Sequence, residues 1–363
     1  MAWICLTTQD RGAFDPSGLP EGKEHQELPL CQAAEGLLAR GTVYLDVEYP
    51  SVTGRELTLF AAATQVPWGM EMRITALPSG NVSLTCAGPN RRTETMLIAP
   101  TIQPGAALRL TYTWDGPAQI GHFSAHWPNE DELVTQAVVQ PMPLPMALIR
   151  HIAQPDVLGS MATFVAVADH QMPIGPMPGV GAETMVETSM GHKPISDLSI
   201  GDSLMGIDGT ASPVLSLVRQ SLPCFGSTNA MVLRPRSMED AETVVVTAET
   251  RVMTGGPDVE YLIGEQAVLV AARQLERARV SDMAQAPAFM TFYQAVCAEP
   301  IVTEMAGTAI STLYFSPSAK AHNLRTLTTI ADIPGNLFGH GRPAAPVLKT
   351  FEAVTLAAQS QAA

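Results

Sequence analysis

Short runs of β-branched, aromatic and other apolar residues alternate with turn residues from Gly41 onward. The first run, TVYLDVEY at 42–49, is rich in the residues that favour strands. Proline, serine and glycine at 78–80 predict the turn of a hairpin between two later runs. Short strands at regular spacing predict a β-sandwich for this half of the chain. The other strands predicted here span 57–63, 70–76, 81–87, 96–102 and 107–114.

Two proline-rich stretches indicate where the chain is divided. QPMPLPM at 140–146 predicts an edge strand or a crossing segment, and QMPIGPMPGVG at 171–181 predicts a linker. Proline lacks a backbone N–H and has a fixed φ, so the second stretch fits neither a helix nor a central strand. Residues 1–40 are predicted to be irregular at first, with a short helix at 30–40. We therefore predict an N-terminal segment 1–40, a β-sandwich domain 41–170, a linker 171–178, a second domain 179–317 and a C-terminal extension 318–363.

The second half of the chain is again a series of short apolar runs. Asp208 and Gly209 predict a turn between strands at 203–207 and 213–218. The remaining strands predicted in this half span 243–247, 260–263, 267–271, 289–296, 299–304 and 311–315.

Two short helices are also expected in this half. The first follows the strand predicted at 267–271 and spans 273–279. The second begins at Val347 and is predicted to be amphipathic, because Phe351 and Val354 share one helical face.

The segment GVGAETMVETSMGHKPISDLSIGDSLMGIDG, at 179–209, carries the most specific motif of the chain. It resembles the opening block of the Hint domain, the self-cleaving module shared by hedgehog proteins and inteins. VVVTAETRVM at 244–253 and AVLVAARQL at 267–275 resemble later blocks of the same family. The resemblance implies an all-β Hint fold followed by a short C-terminal helix. The residues that fall into the register of the opening block are Thr184, Val186, Thr188, Pro194, Ile195, Leu198, Gly201, Asp202, Asp208 and Gly209.

The first half resembles concanavalin-like and laminin-G sandwiches, through a pattern of strands. The matching stretches are GMEMRI at 69–74, before the predicted hairpin, and LTYTWD at 110–115. Together the two resemblances imply a mainly β chain, with a concanavalin/laminin-G-like β-sandwich before the Hint fold. A sandwich fold by itself implies no site residue.

The Hint resemblance implies a reaction that begins with an acyl shift onto a cysteine thiol. An amide is a poor electrophile, so this step needs an activated nucleophile, a proton donor and stabilisation of the oxyanion. The resemblance places the nucleophile at Gly179, which has no side chain. It places a T-x-x-H motif at Thr247 to Thr250, where Thr250 replaces the histidine, and a late H-E pair at Ala298 and Glu299, where only the glutamate is retained. We therefore expect no catalytic residue, in a domain that keeps the fold and has lost the reaction.

Composition narrows the functional classes. The formal net charge of −14 argues against nucleic acid, because binding to phosphates depends on Lys and Arg. No apolar run approaches the roughly 18 residues of a membrane span, and no signal peptide is expected at the start. The sequence leaves two cellular locations as alternatives: the cytoplasm, or export by a route without a cleaved signal. The five scattered cysteines include no C-x-x-C pair, so no metal or other cofactor is expected.

Other candidate groups favour structural roles. Cys224, in PCFG, resembles a Cys-Phe start but lies after the first hairpin, where it could attack only the bond before itself. His122 and His126 are four residues apart in a predicted strand, with no obvious third metal ligand. The acidic loop 127–132 offers the oxygen ligands that calcium prefers, but a solvated loop is favoured.

Three functional hypotheses remain. The first is a non-catalytic Hint protein that acts as a binding or structural module, with an unknown protein or glycan partner. The second is a protein with residual self-cleavage near Gly179, for which the sequence supplies no nucleophile. The third is carbohydrate binding through the sandwich. Aromatic residues form only 6% of the chain, and Trp68, Trp114 and Trp127 fit a core as well as a sugar platform.

Overall fold

The computed structural model divides the chain into two compact units. The first comprises Met1–Gly175 together with the tripeptide Phe225–Ser227, and the second comprises Pro176–Cys224 and Thr228–Ala363. Both units are built mainly from antiparallel strands. The residues that the structure describes are 2–49, 54–66, 68–99, 105–130, 132–234, 243–275, 278–280, 287–314, 327–329, 331, 333 and 342–362.

A seven-stranded antiparallel sheet forms one layer of the first unit. Its strands are β1 (Trp3–Thr8), β2 (Gly12–Phe14), β4 (Arg40–Glu48), β9 (Ala107–Asp115), β10 (Ile120–Trp127), β11 (Glu132–Val139) and β13 (Ala162–Ala168). They lie in the order β11-β10-β9-β4-β13-β1-β2. The first strand of the chain therefore pairs with the last strand of this unit.

A four-stranded antiparallel sheet forms the second layer. Its strands, in spatial order, are β5 (Leu57–Thr64), β6 (Met70–Ala76), β7 (Val82–Gly88) and β8 (Arg91–Leu97). The predicted hairpin is present, because Ala76 pairs with Val82 across the turn. A short pair, β3 (Leu37–Leu38) and β12 (Leu144–Pro145), and helix α1 (Met146–Ile152) complete the unit.

The two layers share one hydrophobic core, as a β-sandwich does. Alternate residues of β4 and β9, such as Leu45 and Leu110, meet side chains such as Ile74 and Leu84 of the four-stranded sheet. These side chains are at most 2% exposed. Full burial of one such side chain contributes about 1.5–3 kcal/mol to the free energy of unfolding. The predicted mainly β fold with an N-terminal sandwich is therefore confirmed.

The prediction of an irregular start to the chain is wrong, although residues 15–36, apart from the 3-10 turn His25–Glu27, lie outside the helices and strands. WICLTT at 3–8 is an apolar run that pairs with β13 on one side and β2 on the other. The short helix expected at 30–40 is absent, since Leu37–Leu38 is a strand that pairs with β12. The strand expected at 96–102 begins earlier, at Arg91, because a tight turn follows β7 directly.

The first part of the predicted linker, 171–178, lies on the outer face of the seven-stranded sheet. Thr42 Oγ1 donates a hydrogen bond to the carbonyl of His170 and accepts one from the amide of Met172, both at 2.8 Å. These contacts hold the segment on the sheet as far as Gly175, where the first unit ends.

The same outer face buries a row of polar side chains. Asp46, Arg109 and His126 lie opposite one another on β4, β9 and β10. All three are at most 3% exposed. Burial raises the pKa of Asp46 to about 6, although hydrogen bonds from Ser227 and the charge of Arg109 oppose the rise. A carboxylate in such surroundings must be hydrogen-bonded to be tolerated.

We expect replacement of Asp46 by asparagine to remove a pH-dependent part of the stability of the first unit. Because the folded pKa is raised above the ordinary value, the contribution of Asp46 is complete below about pH 4 and is lost as pH rises through about 6. The free energy of unfolding of the wild type should therefore fall relative to Asp46→Asn between these values, by at most about 3 kcal/mol.

The measurement is urea denaturation at several pH values between 4 and 7.5. Tryptophan fluorescence reports the first unit, because all four tryptophans, at 3, 68, 114 and 127, belong to it. Parallel pH profiles for the wild type and Asp46→Asn would contradict the assigned shift.

The second unit contains a nine-stranded and a four-stranded antiparallel sheet. The strands of the first are, in spatial order, β16 (Gly191–Pro194), β15 (Met185–Thr188), β17 (Ser203–Met205), β18 (Ala211–Pro223), β24 (Phe289–Cys297), β14 (Val180–Gly181), β20 (Val244–Thr247), β19 (Ala230–Leu233) and β23 (Ala278–Val280). Those of the second are β22 (Ala267–Ala271), β21 (Arg251–Gly255), β26 (Thr308–Ser311) and β25 (Val302–Met305). Apolar side chains from both sheets, such as Val180, Val246 and Val252, form one core. Val268 and Val270 of β22 belong to a separate cluster.

One predicted strand of this unit is a helix. Residues 260–263 form the end of helix α2 (Pro257–Ile263), which starts with proline, where a missing N–H costs little. The helix ends at Gly264, whose φ of +79° suits a glycine. The helix expected at 273–279 is instead a short 3-10 turn, Ala272–Gln274, followed by β23.

The C-terminal helix is present, but it buries another face than the one predicted. Helix α3 (Thr350–Ala362) packs through Ala353 and Leu356. Phe351 and Val354 are 65% and 56% exposed. Packing against α2 and β22 therefore decides which face of this helix joins the core. Among the described residues, no helix combines the length and the apolar character needed to cross a membrane.

Candidate functional site

The candidate site is the peptide segment that leads into β14. Gly179 immediately precedes Val180, which pairs with Val246 of β20 and with Tyr293 of β24. The segment is therefore enclosed between two neighbouring strands, and Gly179 is buried. Its backbone groups must find partners there, because unpaired buried N–H and C=O groups are costly.

The turn between β20 and β21 supplies those partners. The amide of Gly179 donates to Thr250 Oγ1 at 3.0 Å. The Gly179 carbonyl accepts from the Thr250 hydroxyl at 2.8 Å and from the amide of Thr247 at 2.9 Å. The two threonine hydroxyl oxygens are 3.1 Å apart and both side chains are buried. The structure thus brings together Gly179, Thr247 and Thr250.

Two further residues hold this segment and were missed in the sequence. Gln220 Nε2, on β18, donates to the carbonyl of Pro178 at 3.0 Å. Glu249 Oε2 accepts from the amide of Met177 at 2.5 Å. The peptide bond between Pro178 and Gly179 is therefore held from both sides, at its oxygen by an amide and at its nitrogen by a hydroxyl.

No space remains beside Gly179 for a side chain. A Cβ atom added there would lie 2.9 Å from Cβ of Phe292 and 3.4 Å from the carbonyl oxygen of Tyr293. Real Cβ contacts of 2.9 Å essentially never occur, and Cβ of Phe292 belongs to a strand that is paired on both sides. Packing therefore requires glycine at this position.

The structure does not bring Ala298 and Glu299 to this segment. Ala298 lies five residues beyond Tyr293, which places it about 16 Å away along an extended chain. Its amide donates to Pro213 at 2.9 Å, and the amide of Glu299 donates to Ser212 Oγ at 2.9 Å. The Glu299 side chain is exposed. These two residues finish the pairing of β24 with β18.

The remaining candidates lie elsewhere and are largely buried. Burial raises the pKa of the Cys224 thiol to about 12, so it is protonated near neutral pH. His126 is buried and His122 is half-buried on β10. Burial lowers the pKa of His122. Among the described residues, no group of three or more His, Cys, Asp or Glu side chains could hold a metal ion.

One hydrogen bond of this segment is of a kind that acyl-transfer chemistry uses. A donor fixed at a carbonyl oxygen, as Gln220 is at Pro178, is the kind of group that stabilises an oxyanion. The position next to that carbonyl carries no nucleophile. Thr250 lies at the nitrogen of the same peptide bond, where a hydroxyl is a poor proton donor near neutral pH.

The second unit is thus a mainly β domain in which the Thr247–Thr250 turn binds the residue that precedes β14. Residues 178–316 match the family model of the Hint domain. This part of the chain is therefore a Hint domain, which confirms the prediction from the motif residues. Comparison of the chain with curated proteins gives no match.

Several solved structures are similar to parts of the chain. The MchDnaB-1 intein is 16% identical with a TM-score of 0.25, over 37% of this chain and 99% of that one. A bacterial intein-like domain from Clostridium thermocellum is 14% identical with a TM-score of 0.27, over 38% and 100%. The CBM40 of the Ruminococcus gnavus IT-sialidase is 10% identical with a TM-score of 0.27, over 37% and 78%. At these TM-scores the Hint assignment depends on the family model and the motif residues.

Replacement of Gly179 by alanine should destabilise the second unit by about 1–3 kcal/mol, because the new Cβ collides with Phe292. Gly181→Ala is the matched control on the same strand, where a Cβ meets nothing closer than 3.5 Å. The measurement is urea denaturation followed by far-ultraviolet circular dichroism. Equal midpoints for both variants would show that the space at Gly179 is not limiting.

Replacement of Thr250 by valine should cost about 1–3 kcal/mol, because it leaves the buried amide of Gly179 without its acceptor. Thr250→Ser keeps the hydroxyl and should lose at most about 1 kcal/mol, for one methyl group. The same denaturation measurement separates the two variants. A serine variant as unstable as the valine variant would contradict the role of the hydroxyl.

Proposed function

We propose that this chain is a Hint-domain protein that has lost autoprocessing and acts as a binding or structural module. The observation that carries the proposal is the packing around Gly179, where Phe292 leaves no space for a nucleophilic side chain. The predicted degenerate positions Gly179, Thr247 and Thr250 meet at that point.

Absence of the nucleophile alone supports a large loss of rate. In enzymes whose catalytic groups act together, removal of the nucleophile costs on the order of 10³-fold or more, and further losses do not add. The hydroxyls nearest to Gly179, those of Thr247 and Thr250, are engaged with its own amide and carbonyl and with each other. They are therefore committed to holding the backbone.

The cysteines offer no replacement within the domain. Cys224 and Cys297 are buried, and burial raises the pKa of each thiol to about 12. At neutral pH such thiols are almost entirely protonated, whereas the thiolate is the reactive form. This supports the non-catalytic hypothesis over residual self-cleavage.

The surviving hydrogen bonds support a structural role. Four backbone groups of Met177, Pro178 and Gly179 are paired by Glu249, Gln220, Thr247 and Thr250. Each such hydrogen bond contributes about 0.5–1.5 kcal/mol net. In an active Hint domain, side chains of the motif at 247–250 would help to cleave the peptide bond. In this chain they stabilise it.

A partner of this module is proposed to be a protein or a glycan. Glycan binding usually needs exposed aromatic side chains on which a sugar can stack. Trp114 and Trp127 are fully buried and serve the core, whereas Trp68 is 46% exposed. A sugar platform on the sandwich would therefore depend on Trp68, and this favours a protein partner.

The test is the integrity of the purified full-length chain. We expect a single species of 38.6 kDa by intact mass after prolonged incubation with and without a thiol or hydroxylamine. An active intein precursor under the same conditions shows that the reagents work. Two fragments that divide the chain between Pro178 and Gly179 would disprove the proposal in favour of self-cleavage.

A further inference from the structure

The tripeptide Phe225–Ser227 lies on the outer face of the seven-stranded sheet, within the first unit. Three residues of this sheet, Phe164, Asp46 and Arg109, lie opposite one another on β13, β4 and β9. Each is at most 3% exposed. They contact the first, second and third residues of the tripeptide in the same order.

The first contact is aromatic. The ring of Phe225 lies 6.1 Å from the ring of Phe164 at a tilt of 50°. It also meets the ring of His25 edge-on, at 5.4 Å. Tilted and edge-to-face pairs at these distances are the favoured arrangements of aromatic rings. The pocket therefore selects a flat aromatic side chain at this point.

The second contact admits only glycine. Gly226 has a φ of +49°, which lies in the left-handed region. A Cβ atom at this residue would lie 2.2 Å from Oδ1 of Asp46 and 3.2 Å from a ring carbon of Phe164. Both the conformation and the space require a residue without a side chain.

The third contact joins two charged side chains to Ser227. The amide and hydroxyl of Ser227 both donate to Oδ2 of Asp46. Arg109 donates from Nε and Nη2 to Ser227 Oγ, both at 3.2 Å, and from Nη2 to its carbonyl at 3.4 Å. Buried ions of this kind are costly unless hydrogen bonds compensate them, and the tripeptide supplies five.

We propose that Phe164, Asp46, Arg109 and His25 form a recognition pocket for a Phe-Gly-Ser turn. The chain's own tripeptide occupies the pocket, and a partner peptide with the same turn binds there when the tripeptide leaves. The inference concerns the first unit alone and holds whether or not the Hint domain cleaves.

Occupation by the chain itself controls access to the pocket. A tethered segment has an effective concentration of the order of millimolar, which a dilute free peptide does not match. The wild type should therefore bind such a peptide weakly. A variant whose own tripeptide fits poorly should bind it well.

The experiment measures binding of a labelled peptide to the full chain by fluorescence anisotropy. The probe is LPSFGSTNA, residues 222–230 with serine in place of Cys224. The first host is Gly226→Ala, whose new Cβ collides with Asp46. The second is Ser227→Ala, which loses the hydroxyl contacts and keeps the backbone. We expect each host to bind the probe at least about 10-fold more tightly than the wild type.

Two matched controls test the chemistry of the pocket. The peptide LPSFASTNA, with alanine at the glycine, and the host Gly226→Ala/Arg109→Gln should each reduce binding by at least about 10-fold. Tryptophan fluorescence shows whether each host is folded. If Gly226→Ala is unfolded, binding of the probe to Ser227→Ala alone decides whether the proposal holds. The proposal is overturned if no folded host binds the probe more tightly than the wild type, or if the alanine peptide binds equally well.

Discussion

The second unit depends on the hydrogen bonds that the Thr247–Thr250 turn makes to Gly179. This turn ends β20 and starts β21, so it belongs to both sheets of the unit. Through Thr250 it fixes both the amide and the carbonyl of the residue that opens β14. Strand β14 contributes only two residues, and its position between β20 and β24 therefore relies on this anchoring at its start. The pairing of the central strands follows from it.

The first unit is constrained by buried charge. These charged side chains lie on the outer face of the sandwich, which is ordinarily exposed to solvent. The inner face of its seven-stranded sheet is apolar and forms the core with the second layer. The outer face carries Asp46 and Arg109, which are buried. Alternation along β4 and β9 produces both faces at once, since successive side chains point to opposite sides. The polar face is stable only where hydrogen-bonding groups of the chain itself cover it.

Much of this architecture was accessible from the sequence, and the exceptions have physical causes. Alternation predicted β4 to β7 and β9 of the sandwich, whereas β11 and β13 were not predicted. WICLTT was overlooked because its partner strand lies about 160 residues away. The short apolar run at 260–263 does not distinguish a strand from a helix, and Pro257 and Gly264 decide the matter. The C-terminal helix was found, but its buried face depends on what it packs against.

Part of the site was also predicted from the sequence, and part was missed. Spacing within one motif places Thr247 and Thr250, and the opening block places Gly179. Gln220 carries no motif, because its contact with Pro178 follows from the register of β18 against β24. Ala298 belongs to the same family pattern, yet the length of β24 carries it away from the segment. Sequence motifs therefore identify which residues were reactive in the family, whereas sheet register decides which residues meet.

Glycine at position 179 has two separate consequences, one chemical and one steric. It leaves no side chain at the position that the Hint resemblance gives to the nucleophile, and it also allows the chain to approach Phe292 more closely than any other residue could. Given that close approach, the Cβ atom of a cysteine at 179 would lie 2.9 Å from Cβ of Phe292. In the proposed non-catalytic domain, the absence of a thiol and the lack of space for one therefore act in the same direction. The proposed loss of autoprocessing therefore rests on packing as well as on chemistry, because a thiol restored at 179 would also need space that the close-packed strand does not offer.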